Sequence, residues 1–397
     1  MFYLNFPQYK ISKKVKSIAK IDVKEQLKLL NLTLAGKIGV GSISGIALSL
    51  TVGGKGSIFW IWVSSILTTL FTYIEVLVGV KYREKSKCGI FGGPQVYIKN
   101  ILKNKSLSKI YSYLVILSYL FAFILIQSNT IIISLSNYFS LSKILTMIIL
   151  LIIVIFTIRK GLEGINKAVS FLVPFMNIVY ITLGVIVIYK NVYIVPGIIR
   201  DIIKESFKIK SLSTIPIIIG IQRAIFSNEA GMGTTSMVAA LSKNEDLENT
   251  IKTQIIGTRL ITFIITTVSC LIILTCDLDL TKLSNINGIE IVNYAFNYHF
   301  GNFGLLILNI IITLFAFSTI ITSYYYGLLN IKYLKSNKSD TLAKIIVIIV
   351  IVLSFYIKSS TIWAYVDILT ALTTLINIYA IMKLKSSIRK DIYDRKQ

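Results

Sequence analysis

Two stretches decide the fold: Ala35-Gly36-Lys37-Ile38-Gly39-Val40-Gly41-Ser42-Ile43-Ser44-Gly45 and Phe226-Ser227-Asn228-Glu229-Ala230-Gly231-Met232-Gly233-Thr234. Each lies in an apolar run of the length a membrane helix needs, and neither reads as one unbroken helix. Clustered glycine weakens a helix by roughly 1 kcal/mol per residue relative to alanine. Unpaired backbone groups facing lipid are costlier still, so such stretches persist where they line a polar cavity. Glycine also serves close helix packing through small-xxx-small contacts. Packing alone does not call for Asn228 and Glu229 beside the glycines.

Working outward, a hydrocarbon core of about 30 Å needs roughly 20 apolar residues per helix. Ten runs approach that length, at residues 30–50, 57–80, 109–135, 142–158, 168–190, 212–241, 253–275, 301–330, 342–358 and 362–384. The interrupted stretches open the first and the sixth run, corresponding positions in two halves of five. That is the layout of a transporter with inverted repeats and a site near the membrane midplane. The expected fold is an all-α polytopic membrane protein with about ten transmembrane helices in a 5+5 inverted repeat, helices one and six being broken. The chain divides accordingly into a cytoplasmic basic N-terminal segment (1–29), a first five-helix repeat (30–190), an outer amphipathic helix (191–211), a second five-helix repeat (212–384) and a cytoplasmic basic tail (385–397).

Composition agrees with this reading. Of 397 residues 54% are hydrophobic and 15% charged, and the formal net charge is +24. In a soluble chain such a charge points to nucleic acid, but a mean hydropathy of +0.74 excludes that class. Thirty of the 42 Lys and Arg fall in the segments on the side of the N-terminus, nine on the other side, and Lys37, Arg223 and Arg259 inside runs. The positive-inside rule then places both termini in the cytoplasm of a multi-pass plasma-membrane protein. The start carries seven lysines and no long apolar region, so it reads as neither signal peptide nor anchor.

Residues 81–109, basic and holding Gly89, Gly92, Gly93 and Pro94, suit a structured inner segment. Residues 277–300 hold Asp277, Asp279, Glu290 and the single histidine, His299, and read as a loop with a solvated imidazole. Cys88, Cys270 and Cys276 show no metal-type spacing and read as structural. Charges inside the runs cost about 2.5 to 3.5 kcal/mol each on insertion scales and need partners or tasks. Arg223 and Arg259 lie near run ends and can snorkel; Lys37, Glu75 and Glu229 have no such escape. No HExxH, GxSxG or GxxxxGK[ST] is present, so an enzyme is not expected. No repeated polar filter argues for a channel.

At these residues the chain resembles the alanine or glycine:cation symporter family (sodium:alanine symporters), which has the leucine-transporter fold. The likeness runs over nearly the whole chain. It is carried by residues 35–62, Glu75 with Lys81-Tyr82-Arg83, Gly92-Gly93-Pro94, Gln127-Ser128-Asn129-Thr130, Leu172-Val173-Pro174-Phe175-Met176, Phe226 to Gly233, Phe315-Ala316-Phe317-Ser318-Thr319 and Tyr325-Tyr326-Gly327. The chain departs from the family at Lys37 (usually small and polar), Ser42 (Asn), Ile265 (Asp), Ser323 (Trp) and Leu328 (Glu). Only a fragment of the family's first span is read in Met1 to Phe6.

The resemblance implies sodium-driven uptake of a small neutral amino acid, of the alanine or glycine class or somewhat larger given Ser323. A zwitterion needs an anion site and an acceptor site, and broken helices supply both. The expected substrate residues are Gly41, Ser42 and Ile43 through their amides, Phe226 and Ser227 through carbonyls, the Asn228 side chain, Gln127 and Ser323. Gln127 is preferred over Asn129, which faces another direction. The implied sodium site joins Ala35 and Ile38 carbonyls to Phe315, Ser318 and Thr319, although these hydroxyls also suit back-bonding to carbonyls one turn away. Glu75 is expected on the unwound sixth helix, and Glu229 there too or paired with Lys37. For Lys37 three readings stand: its ammonium replaces a second sodium, it only neutralises a glutamate, or it carries a proton. The alternatives to a sodium symporter are accordingly a proton-coupled or sodium-independent amino acid transporter using Lys37, or a transporter-derived amino acid sensor. Expected partners are the amino acid, sodium as coupling ion and the bilayer, with no cofactor, nucleic acid or obligatory protein partner.

Overall fold

A computed structural model describes residues 23–86, 89–207, 214–242, 247–276, 278, 288–334 and 339–394. The readings placed on Met1 to Phe6, Cys88, Asp277 and Asp279 lie outside these residues. The first interrupted run forms α1 (Val23–Lys37), a single 3-10 turn (Val40–Ser42) and α2 (Ser44–Gly53), and the long helix α3 (Gly56–Lys81) follows. An antiparallel hairpin of β1 (Glu84–Ser86) and β2 (Gly89–Phe91) leads into α4 (Pro94–Asn100), so the 81–109 segment is folded. Pro94 suits the first turn of α4, where a missing N–H costs nothing. Next come α5 (Lys105–Phe139), α6 (Lys143–Ile158) and α7 (Gly161–Lys190). Asn104 caps α5 by accepting from the Leu107 amide at 2.9 Å.

The amphipathic stretch after α7 contains α8 (Val195–Ser206), which buries Val195, Ile198, Ile202 and Ser206. Lys55, in the turn before α3, pairs with Asp201 of α8 at 3.0 Å. The second interrupted run forms α9 (Thr214–Asn228) and α10 (Thr234–Ala239). Then follow α11 (Leu247–Leu274), α12 (Gly288–Leu334), α13 (Ser339–Tyr356), α14 (Ser359–Lys383) and α15 (Lys385–Asp394). Seven helices among the described residues (α3, α5, α7, α11, α12, α13 and α14) are long and apolar enough to cross a membrane. Shorter apolar helices, Ser44–Gly53, Lys143–Ile158 and Ile215–Asn228, lie in the remaining three runs. The protein is a helical polytopic membrane protein.

The first helix begins at Val23, ahead of the apolar run that starts at residue 30. One expectation needs correction. Residues 288–300 are the first part of α12, set off by a non-helical Gly301 at φ 61°. They are helical because Ile289, Val292, Ala295 and Phe296 form one buried stripe, which the neighbouring charges obscured. His299 is half-buried rather than free in solvent. Its Nε2 lies 3.0 Å from Thr275 Oγ1 and 3.1 Å from the Ile272 carbonyl, against the end of α11.

Candidate functional site

The first break is built from close approaches that glycine permits. A Cβ on Gly39 would stand 2.7 Å from Thr319 Oγ1 and 2.8 Å from Gln127 Nε2, and one on Gly41 only 2.0 Å from Phe226 Cε1. Gln127 of α5 accepts from the Val40 amide at 3.1 Å. Gly41, Gln127 and Phe226 therefore converge at this break. The amides of Ser42 and Ile43 donate to the Gly39 and Val40 carbonyls at 3.3 and 3.2 Å. Of the three amides expected to meet a carboxylate, those of Ser42 and Ile43 are thus engaged by carbonyls of the turn, which leaves that of Gly41.

On the other side of the break, three carbonyls meet one hydroxyl. Thr319 Oγ1 of α12 lies 2.9 Å from the Ala35 oxygen, 3.4 Å from that of Ile38 and 3.0 Å from that of Phe315. Ser318 Oγ donates to Phe315 O at 2.9 Å. A hydroxyl carries one proton, so Thr319 satisfies one of these carbonyls at a time and the others keep lone pairs turned to the same small volume. Ser323, one turn further along α12, is buried and its hydroxyl has no partner among the described residues, as is also true of Ser227.

The second break is held open by side chains from three other helices, α3, α5 and α14. Glu229 sits in the left-handed region at φ 47°, which a non-glycine residue adopts only where its surroundings over-determine it. Glu75 Oε1 of α3 accepts from the Gly233 amide and from Asn377 Nδ2 of α14, both at 3.0 Å. Asn377 Nδ2 also donates to the Gly231 carbonyl at 2.8 Å, and Tyr111 of α5 donates to the Met232 carbonyl. Thr234 donates to Glu229 Oε2 at 2.8 Å. The Gly231 and Met232 carbonyls and the Gly233 amide, freed by the break, thus find side-chain partners.

Asn228 was expected to meet the substrate, and the structure directs it elsewhere. Its Oδ1 accepts from the Thr262 hydroxyl of α11, and its Nδ2 donates to Thr68 Oγ1 of α3 at 3.4 Å. Asn129 donates to the Ser354 carbonyl at 2.8 Å, on the far side of α5 from Gln127's bond to Val40. Lys37 donates to Thr258 Oγ1 of α11 at 3.2 Å, and Thr258 is 3.1 Å from Thr72 Oγ1 of α3. These threonines were missed; Thr258, Thr262 and Thr266 recur every four residues, the one signal that could have found them. Arg223 does not snorkel. It pairs with Asp367 of α14 and lies 4.7 Å over the Trp363 ring. Asp367, a carboxylate inside the last apolar run, was the overlooked sign of that pair. Arg259 is on the exposed side of α11.

Two helices interrupted in mid-run, with carbonyls and hydroxyls gathered at the first break and a carboxylate bracing the second, define a membrane transporter rather than an enzyme. Comparison with known proteins gives the family. The chain belongs to the sodium:alanine symporter family, which it matches over residues 6–397. It is 29% identical over 360 residues to the amino-acid carrier protein AlsT of Bacillus subtilis, covering 89% of this chain and 77% of AlsT. It is 30% identical over 358 residues to the probable sodium/glutamine symporter GlnT of the same organism, covering 89% and 74%. Against the sodium/alanine symporter AgcS of Methanococcus maripaludis it is 28% identical over 371 residues, covering 89% and 80%. In fold it is similar to MhsT in its crystal structure with L-phenylalanine, with a TM-score of 0.70 at 14% identity, covering 93% of this chain and 91% of that one.

Proposed function

We propose that the protein is a sodium-coupled symporter that carries a small neutral amino acid into the cell across the plasma membrane, with both termini cytoplasmic and ten spans in two sets of five. The observation that carries this reading is the cluster of Ala35, Ile38 and Phe315 carbonyls around the single proton of Thr319. With the Ser318 hydroxyl they offer a desolvated cation five oxygen ligands, contributed by both sides of the break. A cation bound there holds α12 to the unwound segment and so favours the arrangement in which Gly41, Gln127 and Phe226 meet.

The amino acid sits at that meeting point. Its carboxylate takes the Gly41 amide and the Ser42 hydroxyl, near the N-terminal end of α2, whose dipole favours an anion. Its ammonium takes carbonyls of Phe226 and Ser227, which lie in the last turn of α9 and lack intrahelical donors. The unpartnered Ser227 hydroxyl adds a third acceptor. Ser323 leaves room for a side chain larger than methyl, and the relatives named for alanine (AgcS) and glutamine (GlnT) bracket that size range. The test is uptake of a panel of labelled amino acids into proteoliposomes with and without an inward sodium gradient. Uptake of neutral amino acids that collapses without sodium is expected, and sodium-independent uptake driven by a proton gradient refutes the coupling.

A further inference from the structure

Lys37 lies at the first break, yet the site built above gives it no task. Its ammonium is buried, and Thr258 is its hydrogen-bond partner among the described residues. The Thr258 hydroxyl adjoins that of Thr72. Glu75 lies three residues beyond Thr72 on α3 and hence on the same helix face. Glu229 enters from the second break. Both carboxylates are close enough to act on the Lys37 charge. Both are fully buried, and Glu75 Oε2 and Glu229 Oε1 have no hydrogen-bond partner among the described residues. The Thr235 and Tyr119 hydroxyls lie nearby. Hydroxyl oxygens and carboxylates are the ligands a monovalent metal cation takes, and here an ammonium on a tether bonds one of the hydroxyls and carries the charge on which both acids act.

An ordinary structural ion pair has a different form. A lysine that merely neutralised one glutamate would bond it directly, since in a buried site the pair's attraction offsets desolvation only when geometry is good. Here the direct bond goes to a threonine, and neither acid pairs directly with the ammonium although both act on its charge. The carboxylates outnumber the ammonium, so the surroundings are those of a cation site and not of a lysine matched to one partner.

We propose that Lys37 is a tethered cation occupying a monovalent cation position formed by Thr72, Thr258, Glu75 and Glu229, and that the protein therefore moves its amino acid with one free cation fewer than the site could hold. This rests on the sodium-coupled reading, but its first test does not involve transport. Purified full-length Lys37→Thr and Lys37→Met are heated in detergent in lithium, sodium, potassium or choline chloride at constant ionic strength, without amino acid. A cation bound only by the folded state raises the unfolding midpoint. Lys37→Thr should gain a saturable response to at least one alkali cation that the parent lacks, with a shift of roughly 2 °C or more. Lys37→Met, which fills the volume with an uncharged chain, should not. A folded Lys37→Thr whose response equals the parent's overturns the proposal. Should Lys37→Thr fail to fold, the reversal potential of transport in parent proteoliposomes decides: one sodium per amino acid is expected, and two overturn it. Absence of any sodium effect in the parent refutes the coupling reading alone, and the alkali response of Lys37→Thr still decides this one.

Discussion

At the scale of single residues, the contacts around the first break set which atoms are exposed to an ion and which are already engaged. Thr319 is the only side chain hydrogen-bonded to both Ala35 and Ile38 among the described residues, so Thr319→Ala removes the one hydroxyl that bridges the break. A bond of this kind to a charged group contributes about 1.5 to 3 kcal/mol, and the sodium concentration for half-maximal uptake should rise roughly tenfold or more. Sodium titration of uptake checks this. Gly41→Ala drives a methyl into the Phe226 ring, 2.0 Å from Cε1, and should abolish uptake. Overpacking of this type costs about 1 to 3 kcal/mol, and the double variant Gly41→Ala, Phe226→Ala should regain part of the activity. Ser323→Trp should narrow the substrate range toward glycine and alanine. The discrimination against each added methylene grows on the order of tenfold, read as competition by a series of neutral amino acids. The glycines were legible in the sequence because they punctuate apolar runs, and Thr319 and Gln127 through the family resemblance. Asn228 was not, because whether its amide turns to the cavity or to Thr68 and Thr262 depends on two other helices that no local pattern specifies.

Elements brace one another across the second break. Glu75 and Asn377 reach Gly231 and Gly233 from α3 and α14, and they also bond each other. Glu75→Ala and Asn377→Ala should each lower the unfolding midpoint. Their effects should add to less than the sum, with a coupling of about 0.5 to 3 kcal/mol. Strictly additive losses in a double-mutant cycle contradict the shared-brace account. The position of the break itself could be read from Gly231 and Gly233, since clustered glycine weakens the helix wherever it occurs. Of the break's supports, Glu75 was expected on this backbone and is found there, whereas Asn377 was not legible, being one polar residue in an apolar run and separated from Glu75 by most of the chain. The helix over residues 288–300 was hidden for a related reason. Its acidic residue and histidine resembled loop chemistry, while the stripe that buries it became visible only against its neighbours.

For the whole molecule, the ion pair between Arg223 and Asp367 joins α9 to α14 over Trp363, which in turn packs edge-on against Phe226 at 5.3 Å between ring centres. Breaking a fully buried pair costs about 3 to 5 kcal/mol, and less here because the Asp367 side chain stays 24% accessible. Arg223→Met should therefore destabilise the protein by less than that figure, and Arg223→Met with Asp367→Asn should recover part of it in thermal unfolding. The asymmetry of Lys and Arg between the two sides is the argument for the proposed orientation, and the two punctuated runs made the transporter class readable. The pairing of Arg223 with Asp367 was not, because it depends on how two distant helices meet. The central claim is that the oxygens around Thr319 couple a sodium gradient to the movement of an amino acid. The most direct test is accumulation of a labelled neutral amino acid in proteoliposomes under an inward sodium gradient, compared with equal sodium on both sides and with a proton gradient alone. The account predicts accumulation above the outside concentration only with the sodium gradient, lost in Thr319→Ala at low sodium. Equal accumulation under all three conditions, or accumulation that follows protons alone, would contradict it.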